Sequence, residues 1–373
     1  LKNTIPLSQP IKFVPHEKSH FFGELKRRVD AYFEENNISK HANLEARMKM
    51  VILLAAYILP FVAMLYFHWD GLAGMVCYII MSFSVAGIGM SVMHDANHGA
   101  FSKKQSVNNW VSYTINLLGG SAFNWKIQHN LLHHMYTNVP THDHDIQERP
   151  ALKFNPETKT KKVHRYQFLH AFFFYGLITL YWVTFKDLVQ LISFTKQGLN
   201  KNSPKQNWIL VAKITIMKIL YFFVLIVMPI WLFGFSVSIV VGGFLLMHFI
   251  AGIVLTVIFQ LAHTVEGTAH PMPNEKGVIA NDWAIHQLNT TVNFSRGNPF
   301  LTWYLGGLNY QVEHHLFPKI CHVHYPALSP IVKQTAQEYG ISYLENETFA
   351  EAFRSHIRFL KKMGLPSWDE AIG

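Results

Sequence analysis

The chain has 373 residues, half of them hydrophobic and 15% charged, with a mean hydropathy of +0.13. That balance excludes a disordered chain and suits a few membrane spans joined to a substantial water-facing body. The net charge of +9 fits nucleic acid, anionic lipid or an acidic protein partner, and two cysteines, Cys77 and Cys321, exclude a zinc ribbon, a thiolate iron–sulfur cluster and a disulfide framework.

The first 48 residues are mixed and charged and do not read as a cleavable signal. Within them, Phe21, Phe22, Leu25, Val29, Tyr32 and Phe33 fall on one helical face, which either packs on the body or lies on a membrane surface. Apolar runs follow at about 50–67 and 72–93, then at about 214–233 and 236–261. Each is long enough to cross a hydrocarbon layer of ~30 Å. Their short connections near His68 and Gly234 carry no Lys or Arg. The positive-inside rule therefore puts the remaining segments, both termini included, in the cytoplasm. Two further apolar stretches, 110–123 and 168–185, are expected as interfacial helices. The first is short and punctuated by Asn116, Gly119 and Gly120; the second carries His170 and Gly176. The expected fold is an all-α integral membrane protein: two transmembrane helical hairpins, four spans, with a cytoplasmic helical cap. The expected divisions are a segment 1–48, a membrane domain 49–325, and short helices over 326–373.

Histidines recur where this topology gathers them on one membrane face. His94 and His98, four apart, share a helix face at the end of the second span. His129 and His133 repeat the spacing, with His134 adjacent; His263 ends the fourth span; His314 and His315 follow Gln311. Neutral imidazole is the commonest protein metal ligand. Eight such residues are too many for one ion and divide naturally between two. An imidazole-rich, carboxylate-poor, open donor set suits iron that must meet O2, whereas zinc is satisfied by four ligands and has no redox chemistry. Asp95, Asn97, Asn130 and Asn309 sit beside these histidines as candidates for orienting them. His248, midway along the fourth span, lines a tunnel or packs against a neighbouring helix.

The boxes His94-x3-His98, His129-x3-His133-His134 and Gln311-x2-His314-His315 resemble the three histidine boxes of the membrane fatty acid desaturases, in order and spacing, from about residue 50 to 318. The resemblance implies a diiron centre, with His263 matching a further ligand near the end of the fourth span and Gln311 a possible ligand. It implies an oxidoreductase that uses O2 and two external electrons to place a cis double bond in the acyl chain of a lipid or acyl-CoA, with water as the other product. Gln311, where most members carry histidine, resembles the front-end subgroup, which desaturates between an existing double bond and the carboxyl end. No His-Pro-Gly-Gly haem motif occurs in these residues, and no glycine-rich dinucleotide motif follows a strand. Electrons are therefore expected from a separate carrier, cytochrome b5 or ferredoxin with its reductase, steered by Lys103, Lys104, Lys126 and Lys319. The basic face is assigned to anionic lipid head groups, an acyl carrier's phosphates or that electron carrier, not to nucleic acid. The membrane is the bacterial inner membrane, or the endoplasmic reticulum in a eukaryote.

Two other readings stand beside this one. A fatty acyl or lipid hydroxylase uses the same boxes. His16-Glu17-x-x-His20 matches a zinc-protease pattern, in a segment too short for a protease domain. The run Thr141-His142-Asp143-His144-Asp145 looks metal-like and is expected as a solvated polar loop.

Overall fold

The computed structural model describes residues 11–14, 20–140, 142–146 and 150–365. The His16-Glu17 part of the protease-like pattern lies outside the described residues. Five described helices are long and apolar enough to cross a membrane: Leu44–Tyr66, Leu72–His98, Lys162–Lys196, Pro204–Phe233 and Val237–His263. Four of them contain the expected runs. The Lys162–Lys196 helix absorbs 168–185 and is far longer than the apolar stretch that marks it. Gly176 does not break it, and it continues to a turn with Gly198 at φ +71°. The run 110–123 forms no such helix. A helix over Gln105–Ser112 tightens into a 3₁₀ turn over Tyr113–Leu118 and stops at Gly119, φ +71°.

The chain divides into two units. One comprises residues up to His41, Lys126–Ala171 and Ile258 onward; the other comprises Ala42–Trp125 and Phe172–Val257.

In the second unit, Asn43 caps the Leu44–Tyr66 helix by accepting the Ala46 N–H at 3.0 Å. Ser203 and Gln206 form a reciprocal capping box at the start of Pro204–Phe233, with proline at its first position. The tips of the two hairpins are joined: the Asp70 carboxylate accepts the Ser236 N–H at 3.1 Å and its hydroxyl at 2.8 Å. The Leu72–His98 helix is the most deeply buried of the five. Tyr78, Met81, Val85 and Ile88 on it pack with Val240, Phe244, Met247 and Ala251 of the Val237–His263 helix. Gly243 has no side chain because the Tyr78 ring occupies the space a Cβ needs. Lys218 is buried in this unit. Its ammonium pairs with Asp187 at 2.9 Å and donates to the carbonyls of Gly119, Trp182 and Val183. A buried charge persists only with such full pairing.

In the first unit, Phe21, Leu25, Val29 and Phe33 of the Phe21–Glu35 helix, spaced by four, pack with Leu316, Tyr325, Leu328 and Val332. That apolar face therefore covers a protein core. Two short parallel pairings, Lys12–Phe13 with Val278–Ile279 and Asn293–Phe294 with Glu345–Asn346, tie distant segments together. The expected C-terminal helices are Tyr325–Glu338 and Phe349–Met363.

Candidate metal centre

The first unit contains six of the eight candidate histidines, and local backbone geometry turns them inward. Residues Lys126–His133 form a π-helical segment, and the His134 N–H closes five residues back onto the His129 carbonyl at 3.0 Å. This wide turn brings both His133 and His134 beside His129, with ring centroids 5.2 and 4.7 Å away. The Val237–His263 helix delivers His263 at its last residue. A six-residue helix, Gln311–Leu316, carries His314 and His315 with every residue buried.

Possible ligand atoms of His133, His263 and His315 all lie within 4.8 Å of one another, and so do those of His134, His314 and His315. The rings of His133 and His263 are 4.7 Å apart, and those of His134 and His315 are 4.4 Å apart. Most of these rings are fixed from behind through Nδ1. His133 Nδ1 meets the Asp143 carboxylate at 3.1 Å, and His263 Nδ1 meets the Thr290 carbonyl at 3.3 Å. His314 Nδ1 meets the Tyr325 hydroxyl at 3.2 Å, and His315 Nδ1 meets the Gln287 side-chain oxygen at 2.9 Å. An imidazole that donates through Nδ1 presents a bare Nε2 lone pair. The Nε2 atoms of His133 and His263 are buried without a hydrogen-bond partner. Buried unpartnered nitrogens are costly unless something else takes the lone pair, and a metal ion does. The donor set therefore fits a metal, and its imidazole character fits iron.

Asp143 is the main electrostatic feature. Burial opposes its ionisation, but His133 and the N–H groups of Asp145 and Asn138 outweigh that and hold its carboxyl below the usual range. Of the run expected as a solvated polar loop, Thr141 lies outside the described residues, and residues 142–145 are not solvated in that way. His142 and Asp143 are buried, and Asp143 serves His133.

Of the remaining candidates, Gln311 is buried at the head of its helix and lies beside His263. Asn309 donates to Thr302 Oγ1 at 3.0 Å, and its carbonyl accepts the Phe294 N–H, so it shapes the approach to that helix. Asn130 is half-buried beside His129. His94 and His98 belong to the second unit, with rings 4.7 Å apart and both packed on Trp125. The π-helical turn Ile88–Val92 precedes them in the same helix and resets their facing. Asp95 and Asn97 are buried there, and Asn97 donates back to the Met93 carbonyl at 2.8 Å. His248, in that unit too, is a packed histidine bonded to Tyr221 at 3.0 Å. Sequence reasoning missed Asp143, Gln287, Thr290 and Tyr325; only the acidic run 143–145 carried any signal.

A model of the fatty acid desaturase family matches residues 70–346. The chain is 37% identical over 355 residues to an sn-1 linoleoyl-lipid 6-desaturase of Arthrospira platensis, covering 94% of this chain and 95% of that protein. A protein of the same name from Synechocystis sp. is 35% identical over 96% of this chain and 99% of its own length. An acyl-lipid (8-3)-desaturase of Physcomitrium patens is 32% identical over 95% of this chain and 74% of that protein.

Proposed function

The chain belongs to the fatty acid desaturase family, and from that premise we propose that it is a front-end acyl-lipid desaturase. Its substrate is an unsaturated acyl chain on a membrane lipid, and the new cis double bond falls between the existing one and the ester. The observation that carries this is near full-length similarity to two proteins named for 6-desaturation of linoleoyl lipid, together with Gln311 heading the third box.

The proposed ligands are His94, His98, His129, His133, His134, His263, His314 and His315, with Gln311 at a weaker position. Two irons held by these residues would supply the O2 chemistry needed to take one hydrogen from each of two adjacent methylenes, which no protein acid or base can do. Per double bond, one O2, two external electrons, two protons and the two hydrogens taken from the acyl chain would leave as two waters. Asp143, Thr290, Tyr325 and Gln287 hold the imidazoles in the tautomer that can ligate. Burial of His133, His263 and His315 keeps bulk water from the centre.

Four crossings with a cytoplasmic centre are part of this proposal. The clustering of His133 with His263 supports an even number of crossings between them, because no side chain reaches across ~30 Å of hydrocarbon. Three qualifying helices lie in that interval, and Lys162–Lys196 is the least apolar of them. It carries Lys162 and Arg165 at one end and Lys186 and Lys196 towards the other, which suits an interfacial helix. Electrons come from a separate carrier, cytochrome b5 or ferredoxin.

The deciding experiment is expression in a host that lacks such enzymes, with linoleate supplied and double bonds located in the extracted lipids. A new double bond on the carboxyl side of the existing one, appearing first in intact lipid, is expected. Hydroxylated acyl chains identify a hydroxylase instead, and first appearance in the CoA pool removes the lipid substrate.

A further inference from the structure

Asp143 and Asn138 lie outside the three boxes, and together they connect two histidines from distant parts of the chain. Asp143 Oδ2 accepts from His133 Nδ1 at 3.1 Å and from the Asn138 N–H at 3.0 Å, while Oδ1 accepts the Asp145 N–H at 2.9 Å. Asn138 Nδ2 donates to the His263 backbone carbonyl at 2.8 Å. Asn138 holds φ +57°, a left-handed conformation that few side chains adopt and asparagine tolerates. Both residues are fully buried. Asp143 thus fixes the His133 ring, and Asn138, bonded to Asp143 through its N–H, fixes the terminus of the His263 helix.

We propose that Asp143 and Asn138 are positioning residues that lock His133 and His263 into one metal-binding pair. This rests on the reading of the histidine cluster as an iron centre. The His133 and His263 rings, 4.7 Å apart, arrive on segments some 130 residues apart, and Thr290 orients only the second. Phe259, one turn back on the His263 helix, packs on both rings at 4.9 Å, but that apolar contact fixes no nitrogen; the hydrogen bonds that tie the His133 ring to the His263 carbonyl run through Asp143 and Asn138. Asp143 does this better than any amide could. All three of its partners are N–H donors, so an asparagine there must turn its NH2 toward at least one of them.

Two variants separate position from folding. Asp143→Asn keeps size but sets a donor against a donor. Asn138→Gly keeps the left-handed backbone and its N–H bond to Asp143, and loses the side-chain bonds to the His263 carbonyl and, at 3.5 Å, to the Thr290 carbonyl. Each is purified in detergent beside the wild type, with melting temperature as the folding control. The measurements are iron per chain, the rate of iron release to a chelator, and the Mössbauer spectrum of protein loaded with iron-57. Iron release at least ~10-fold faster, with an altered spectrum of the retained iron, is expected for both variants. Wild-type iron content, release rate and spectrum in both overturn the proposal. If the folded wild type binds no iron at all, the iron reading fails instead. Cobalt(II) titration, read by its visible absorption, then tests the pair alone: weaker binding in both variants supports it, and equal binding overturns it.

Discussion

Gln287 holds His315 from behind: the His315 Nδ1 lies 2.9 Å from the Gln287 side-chain oxygen, which also accepts the Thr137 hydroxyl at 2.9 Å. Both side chains are fully buried. Gln287→Leu keeps the volume and removes the acceptor, so His315 loses the bond that selects its tautomer. Iron affinity or turnover is expected to fall ~10–100-fold, while Gln287→Glu, which still accepts, retains most of it. Metal analysis and lipid turnover on the two purified variants check this, and a leucine variant with normal iron and rate sinks it.

The third box is clamped on the side away from its histidines. Glu313, fully buried, accepts from Asn293 Nδ2 and the Tyr343 hydroxyl, each at 2.7 Å. Burial raises its pKa, against the opposing effect of those two bonds. Tyr343→Phe deletes that bond together with the hydroxyl's bonds to Asn293 Nδ2 at 2.6 Å and Ser329 Oγ at 2.8 Å, and leaves a buried carboxyl oxygen short of a partner. The loss should be about 1–3 kcal/mol of stability, read as a lower melting temperature. A melting temperature equal to wild type would show that water or another group replaces the hydroxyl without cost.

Acid should weaken the first unit before it touches the spans. Burial lowers the pKa of His270, His286 and His356 to about 4. Their unfolded value is near 6.5. Between those values the unfolded chain binds more protons, so the stability these groups contribute is full above about pH 6.5 and is lost as pH falls toward 4. Each adds at most about 1.4 kcal/mol per pH unit to the slope. Melting temperatures between pH 7.5 and 5 should fall. His356→Asn, which can still donate to the Thr264 carbonyl that His356 Nδ1 meets at 2.7 Å, should flatten the fall. An identical pH slope in that variant removes His356 from the account.

These contacts mark the boundary of what sequence carries. The boxes were legible because their meaning is local: four-residue spacing fixes a helix face, and apolar length fixes where a span ends. His263 was legible for the same reason, as the last residue of a long apolar run. Asp143 was not, since a polar loop reads the same whether it faces water or a buried imidazole. Gln287, Thr290 and Tyr325 carry no local signal, because each becomes meaningful only through a histidine brought to it by tertiary folding. The Phe21–Glu35 helix was half legible. Its apolar face was plain, but its partners, Tyr325 and Val332, lie three hundred residues on. The length of Lys162–Lys196 was hidden because its flanks are polar and only its middle reads as a membrane segment.

That helix makes topology testable. If it lies in the interface, the loops on either side of it, 150–161 and 197–203, face the same side of the membrane. Single cysteines placed in each, in a variant lacking Cys77 and Cys321, should both react with an impermeant thiol reagent from the cytoplasmic side only. Both native cysteines are buried, so their replacement by serine or alanine needs its own activity check. Labelling of the two loops from opposite sides means that the helix crosses, and the even-crossing account then fails.

Gln311 gives the sharpest test of the third box. It opens the Gln311–Leu316 helix one turn before His314 and His315, is buried, and lies beside His263. An amide oxygen there is a weaker donor than imidazole, suited to a loosely held position or to an ordered water. Gln311→Ala removes the polar group and leaves a space, so iron content or turnover should fall ~10–100-fold. Gln311→His puts an imidazole within reach of the same position and should keep the iron, with slower turnover where a tighter ligand blocks an open site. Iron per chain and rate on lipid substrate, measured together, separate the two effects. If the alanine variant matches wild type in both, Gln311 only starts a helix, and its place at the head of the box has no chemical role.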